Sequence, residues 1–184
     1  TALLGPAKRV TCMAGTSIPE RVVDDEMIKV ETEDNMQILL DFGEATFGVV
    51  TTGFTMQAYR TPAIELYGGK GTIQMMGDDW DPDGYELWQN DVGAWQVYGE
   101  TDPNWPWFDG LRHVVDCIRT NTRPLITPEH GYHVLEIMIK ALESARSGQA
   151  LKIESTFTPG TYDQSTAAAN AAEATAAHLI HDPT

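Results

Sequence analysis

The sequence has few cysteines, few basic residues and no long apolar run. Two cysteines, Cys12 and Cys117, are too few for a disulfide framework and neither lies in a CxxC motif, so we expect two reduced, partly buried thiols in a cytoplasmic protein. Lys and Arg number 12 against 27 Asp and Glu, and the net charge of −15 argues against nucleic-acid or acidic membrane partners. No apolar run approaches the roughly 18–20 residues that span a bilayer.

Several motifs that bind cofactors or carry catalysis are also missing. No GxGxxG follows a strand, no serine lies in a GxSxG elbow, and Gly68–Gly71 lacks the spacing of a phosphate loop, so a tight hairpin turn is favoured there. Asp79–Gly84 matches the first half of a calcium loop, but Asn90 occupies the twelfth position, where a Glu is needed. The sequence therefore provides no complete catalytic site, no dinucleotide site and no metal site.

The first half of the chain contains short β-prone segments joined by short turns. We predict strands at residues 8–14, 27–33, 36–42, 46–56, 62–67, 72–76, 85–89 and 94–98. Asp34-Asn35 is a plausible turn that would pair segment 27–33 with segment 36–42 as a hairpin. Because short connections leave little room for crossover helices, a mostly antiparallel sheet is expected.

Helices follow in the second half, predicted at Trp105–Thr120 and from Thr127 onward. Thr127 is placed to cap the second helix, Pro128 suits its first position and Gly148 can end it before a strand at residues 151–153. The predicted buried face of this helix comprises Val134, Leu135, Met138, Ala141, Leu142 and Ala145. Strands followed by helices predict an α+β fold: one large open sheet with helices on one face. Its other face would be solvated or buried against another subunit.

The two ends of the chain differ from the middle. Residues 1–6, TALLGP, are typical of the last turn of a helix, so we expect the body of that helix to lie upstream. We predict one domain over residues 1–160, in which residues 1–5 end a truncated helix, and an alanine-rich C-terminal arm over residues 161–184.

Two groups of side chains are candidates for a site. His130 and His133, with Glu129 and Glu136, have a spacing that can build a metal site, but no second cluster of ligands stands out. His130 can contact a substrate or simply cap its helix. The aromatic residues could stack on sugar rings, although a core or interface role is favoured; they are Trp80, Tyr85, Trp88, Trp95, Trp105, Trp107 and Phe108.

Several segments, taken in order, resemble the C-terminal domain of the glucose–fructose oxidoreductase and inositol dehydrogenase (Gfo/Idh/MocA) family. They are Leu3–Pro6, Ile64–Ile73, Pro124–His130, His133–Glu136, Ser144–Gly148 and His178–Asp182. The resemblance implies a parent protein whose N-terminal Rossmann domain, absent from this chain, binds NAD or NADP. It also implies a second domain like that of dihydrodipicolinate reductase, which lines the substrate pocket and forms a homodimer or homotetramer through its open sheet.

The resemblance further implies an oxidoreductase acting on a sugar, a polyol or a related hydroxyl compound. The glycine loop and the Glu-Lys-Pro motif of the family are absent here, so this chain carries no catalytic or cofactor-binding residue and should be inactive without its Rossmann half. Four residues remain as substrate-binding candidates: Tyr59 and Arg60 in the region of the long strand, and Trp105 and His130 at helix starts. The alternative is a non-catalytic binding or assembly module, including a carbohydrate-binding one.

Overall fold

A computed structural model describes residues 1–77, 82–99 and 108–160 of the chain. Within these residues the strands are β1 (Arg9–Gly15), β2 (Glu20–Val23), β3 (Glu26–Lys29), β4 (Asn35–Gly43), β5 (Thr46–Gly53), β6 (Glu65–Gly68), β7 (Gly71–Gly77), β8 (Pro82–Gln89), β9 (Ala94–Gly99) and β10 (Leu151–Lys152). The helices are α1 (Asp109–Thr120) and α2 (Pro128–Ser147). Trp105 and the predicted arm 161–184 lie outside the described residues.

The chain divides into two compact units. Among the described residues, unit 1 combines Thr1–Met56 with residues 116–160, and unit 2 lies within Gln57–Val115. Unit 1 contains a four-stranded antiparallel sheet in the order β10-β1-β4-β5, and unit 2 contains another in the order β6-β7-β8-β9. The predicted α+β class with mostly antiparallel strands is confirmed, but the strands form separate sheets and not one large sheet. The irregular segment between β5 and β6 separates the two four-stranded sheets.

The predicted hairpin around Asp34-Asn35 is wrong. β3 pairs with β2 around Asp24 and Asp25, whose φ angles of 51° and 65° give the two left-handed positions of a type I′ turn. β4 pairs instead with β1 and β5. The Asp34 carboxylate instead accepts the N–H groups of Ser17 and Ile18, at 2.6 and 3.0 Å, and so stabilises the loop that contains them.

The termini of α2 match the sequence prediction. The Thr127 side chain accepts the N–H of His130, Pro128 opens the helix, and Gly148 ends it in the left-handed conformation with φ of 67°. At the other end of the chain, Gly5 has φ of +80° and donates its N–H to the Thr1 carbonyl at 2.8 Å, which is the geometry of a helix C-terminus.

The buried face of α2 differs from the predicted one. Val134, Leu135 and Met138 are 37%, 51% and 59% exposed, so their predicted burial is wrong. The stripe that is buried comprises His130, His133, Ile137, Ala141 and Ser144, of which the prediction contained Ala141. This stripe packs in the core of unit 1, with Val10, Cys12, Leu40, Phe42 and Ile153. Three of its five members are polar, and a pattern of apolar residues alone points to the wrong side of the helix.

Candidate functional site

A cleft of about 570 Å³ in unit 2 contains two of the predicted substrate-binding residues, Tyr59 and Arg60. Residues 58–62 form one wall. Met75, Met76 and Gly77 at the end of β7 and Glu86 of β8 complete the lining. The structure therefore brings together a guanidinium, a carboxylate and an aromatic ring beside two flexible apolar side chains. Such a mixture is typical of a small-molecule site, where a few polar groups orient a ligand on an apolar surface.

Tyr59 and Arg60, which the sequence analysis placed in the region of the long strand, lie on the irregular segment that follows it. β5 ends at Gly53, and a turn follows in which the Met56 N–H donates to the Gly53 carbonyl at 3.0 Å. The chain then remains irregular until β6, because Pro62 cannot donate to a ladder. Both side chains are exposed, as expected of groups on a loop that is held beside a sheet.

The polar groups of the cleft have different hydrogen-bonding capacities. Arg60 carries only donors, Glu86 when ionised carries only acceptors, and the Tyr59 hydroxyl can do both. Glu86 lies opposite Gln74 of β7, and the Gln74 amide donates to Glu65 at 2.9 Å. This arrangement suits the binding of a hydroxylated ligand. The described part of the chain contains no group of three residues able to hold a metal.

His130 does not line this cleft. Its side chain is buried, its Nε2 lies 2.8 Å from the Thr1 hydroxyl, and its ring stacks on Phe157 with centroids 4.0 Å apart. These contacts give His130 a packing role in unit 1, in line with the capping alternative. A substrate contact by His130 stays a prediction, as does one by Trp105, which falls outside the described ranges.

His133 is a structural residue that the sequence did not distinguish from a metal ligand. Its ring is fully buried, its Nε2 accepts the Ala7 N–H at 3.0 Å, and its Nδ1 lies 2.9 Å from the Ser155 hydroxyl. Accepting a main-chain N–H requires the neutral ring, and burial lowers the pKa of His133 from its ordinary value. Both ring nitrogens are occupied within the protein, which leaves neither for a metal.

Ser144 and Glu136 also connect α2 to the main chain of its neighbours. The fully buried Ser144 hydroxyl accepts the Cys12 N–H at 3.0 Å and donates to the Gln149 carbonyl at 2.6 Å. The Glu136 carboxylate accepts the N–H groups of Glu154 and Ser155, at 2.9 and 2.8 Å. In the sequence, Glu136 follows His133 by three positions and Ser144 follows Ala141 by three, so each lies on the same face of the helix as a buried residue. The pattern of apolar residues had assigned that face to solvent.

The described aromatic residues of unit 2 form pairs across β8 and β9. Tyr85 stacks on Tyr98 with centroids 4.8 Å apart, and Trp88 meets Trp95 edge-on at 5.8 Å. Such cross-strand pairs stabilise a sheet. Of the remaining members of the group, Phe108 is exposed, whereas Trp80, Trp105 and Trp107 are not among the described residues. Cys12 and Cys117 are both buried and are not joined by a disulfide.

Solved structures with the same fold are oxidoreductases and a regulator. An NAD-binding oxidoreductase from Klebsiella pneumoniae superposes with a TM-score of 0.67 at 19% identity, over 83% of this chain and 46% of its own. A levoglucosan dehydrogenase in complex with NADH and L-sorbose gives 0.64 at 16%, over 82% and 45%. The transcriptional regulator Gal80p from Kluyveromyces lactis gives 0.62 at 13%, over 82% and 43%. The present chain thus spans less than half the length of these proteins.

A sequence profile of the GFO/IDH/MocA C-terminal domain matches residues 1–74. The resemblance predicted from the sequence is therefore confirmed: residues 1–74 match the C-terminal domain of this oxidoreductase family, and the fold shared with the structures above covers most of the chain. No curated protein matches the chain. None of the described helices is long and apolar enough to cross a membrane.

Proposed function

We propose that this chain is the substrate-binding and oligomerisation domain of an NAD- or NADP-dependent oxidoreductase that acts on a sugar, a polyol or a related hydroxyl compound. The observation that carries the proposal is the position of Tyr59 and Arg60. They line a cleft, and they lie inside the segment 1–74 that matches the family profile. The sugar and the NADH bound by the levoglucosan dehydrogenase of like fold also support this class of substrate and cofactor.

The described residues do not fit a nicotinamide dinucleotide. Gly68 and Gly71 join two antiparallel strands, β6 and β7, whereas a pyrophosphate requires a glycine turn between a strand and a helix. We therefore place the cofactor site, and the residue that transfers the proton, in a Rossmann domain outside this chain. The chain alone would then bind substrate without oxidising it. Two buried cysteines that form no disulfide support a cytoplasmic location for the parent protein.

The open face of the unit 1 sheet supports a second role in self-association. Thr11, Leu39 and Val49 lie in register across β1, β4 and β5 on the face opposite α2. Met13 and Phe47 extend this face, and its large apolar side chains are exposed. Exposed apolar surface of this kind marks interaction sites, and we propose that a second copy of the chain covers it in a homodimer or homotetramer.

The proposal is tested by comparing two products of the same gene. The 184-residue chain and the product of its complete reading frame are assayed for reduction of NAD and NADP with a panel of sugars and polyols. We expect activity from the longer product alone. A reading frame that starts directly before Thr1, or micromolar binding of NADH by the 184-residue chain, would contradict the proposal.

The likeness to Gal80p supports one alternative, a non-catalytic binding or assembly module. A transcriptional regulator and several oxidoreductases share this fold, so the fold alone does not separate the two functions. A complete reading frame that lacks the Glu-Lys-Pro motif and still binds sugar would favour the alternative.

A further inference from the structure

We propose that the ligand of the cleft in unit 2 is a polyhydroxy carboxylic acid whose carboxylate pairs with Arg60, so that the cleft selects such acids over neutral sugars. This inference rests on the proposed function of the cleft as a substrate site. It makes Arg60 the residue that determines specificity.

The first observation is the ion-pairing of the arginines. Six of them each have a carboxylate within 4.0 Å: Arg9, Arg21, Arg112, Arg119, Arg123 and Arg146. Arg60 has no such partner among the residues that the structure describes. In a chain with 27 acidic and 12 basic residues, carboxylates are abundant enough to pair with every arginine. An arginine left without one, on the wall of a cleft, is available for an anion that comes from outside the chain.

The second observation is the chemistry of the cleft around Arg60. A guanidinium presents a planar fork of donors that matches the two oxygens of a carboxylate. Glu86 lines the same cleft, and its carboxylate is not within the 4.0 Å of an ion pair with Arg60. An ionised Glu86 accepts hydrogen bonds from hydroxyl groups and repels a carboxylate. The lining therefore orients a ligand that has an acid group at one end and hydroxyl groups along its length.

The net charge of the chain makes this selectivity depend on Arg60. A protein with a charge of −15 disfavours anions in general, although salt screens charges beyond about 10 Å. Only a cation in contact with the ligand offsets that repulsion. Loss of Arg60 should therefore weaken the binding of an acid far more than the binding of a neutral polyol.

The experiment compares the binding of D-gluconate with that of D-glucitol. Both are linear six-carbon compounds with several hydroxyl groups, and only gluconate carries a carboxylate. Isothermal titration calorimetry on the 184-residue chain should give tighter binding of gluconate. Arg60→Gln should weaken gluconate binding by roughly 10- to 100-fold, the range for a lost charge-assisted pair, and leave glucitol binding unchanged. Arg60→Lys, which keeps the charge but not the fork, should give an intermediate loss.

Arg112→Gln is the matched control, because Arg112 is an exposed arginine that pairs with Asp109 on α1 and does not line the cleft. It should leave both affinities unchanged, and thermal unfolding should show that all variants fold like the parent chain. Equal affinity for the two ligands, or a gluconate affinity unaffected by Arg60→Gln, overturns the inference and leaves the proposed function standing. Failure of both ligands to bind overturns the inference together with the proposed role of the cleft.

Discussion

At the scale of single residues, the polar side chains of α2 determine how the helix meets the sheet. His133 and Ser144 are fully buried, and each forms hydrogen bonds to the main chain of another segment. The hydrogen-bonded pairing of β1 with β10 stops at Val10 and Leu151. Just beyond it, the Ser144 hydroxyl accepts the Cys12 N–H and donates to the Gln149 carbonyl. A buried N–H without a partner is costly, so this hydroxyl stabilises the end of the ladder.

Ser144→Ala should therefore destabilise unit 1 by about 1–3 kcal/mol, because it leaves the buried Cys12 N–H without an acceptor. Urea unfolding followed by circular dichroism measures the change. Ser147→Ala is the control, since the Ser147 hydroxyl bonds the Glu143 carbonyl on the exposed side of the same helix. A Ser144→Ala variant as stable as the Ser147→Ala variant would show that water or a shifted backbone replaces the hydroxyl.

These residues also show what the sequence could reveal at this scale. Thr127, Pro128 and Gly148 were predictable because capping depends on neighbours within a few positions along the chain. The burial of His133 and Ser144 was not predictable, because their partners Ala7 and Cys12 lie more than 120 positions away. Tyr59 and Arg60, predicted as substrate contacts in the region of the long strand, line a cleft on the loop after that strand, and their contact with a substrate stays a prediction. The end of β5 at Gly53 depends on a local turn that composition does not reveal.

At the scale of elements, the Glu136 carboxylate helps to hold α2 to the segment after β10. Burial tends to raise the pKa of Glu136, but hydrogen bonds from Lys140, from the Ser155 side chain and from the N–H groups of Glu154 and Ser155 outweigh it and lower that pKa to about 2. A folded-state pKa below the ordinary value of 4.5 stabilises the fold above pH 4.5. This contribution is lost as the pH falls from 4.5 toward 2.

Glu136→Gln should lower the free energy of unfolding at pH 7 by about 1–3 kcal/mol, since the amide keeps only one acceptor oxygen and turns its NH2 group toward N–H donors that the second carboxylate oxygen accepts. The variant should also lose stability less steeply than the parent chain between pH 4.5 and pH 2. Urea titrations across this range measure both effects. Glu143→Gln, at an exposed position of the same helix, should reproduce the parent curve, and an equal acid sensitivity of all three proteins would contradict the assigned role.

The elements themselves were largely predictable and their pairing was not. Most predicted strands have counterparts within a few residues, because alternation and turn residues are local signals. The partner of each strand depends on contacts across the sheet. Thus β4 pairs with β1, and β3 pairs with a strand, β2, that the sequence did not indicate.

At the scale of the whole molecule, the open face of the unit 1 sheet is expected to join copies of the chain. Val49→Lys places a charge at the centre of that face, where Val49 is 70% exposed, and should shift an oligomer to monomer in size-exclusion chromatography with light scattering. Val22→Lys is the control, because Val22 is 64% exposed but lies on the β2–β3 hairpin. An oligomer that survives Val49→Lys and dissociates with Val22→Lys would place the interface on the hairpin.

The described residues of the predicted domain form two compact units, of which one interrupts the other along the chain. Because unit 1 consists of two separate stretches of the chain, its two parts are synthesised at different times. Unit 2 is a continuous segment whose partners are all close in sequence, so it can form as soon as it has been synthesised. Unit 1 cannot fold this early, because β1 packs against α2, which is synthesised more than 100 residues later. During synthesis the N-terminal strands must therefore remain without their helix, with apolar residues such as Val10 and Leu40 exposed, until the chain beyond Thr127 has left the ribosome.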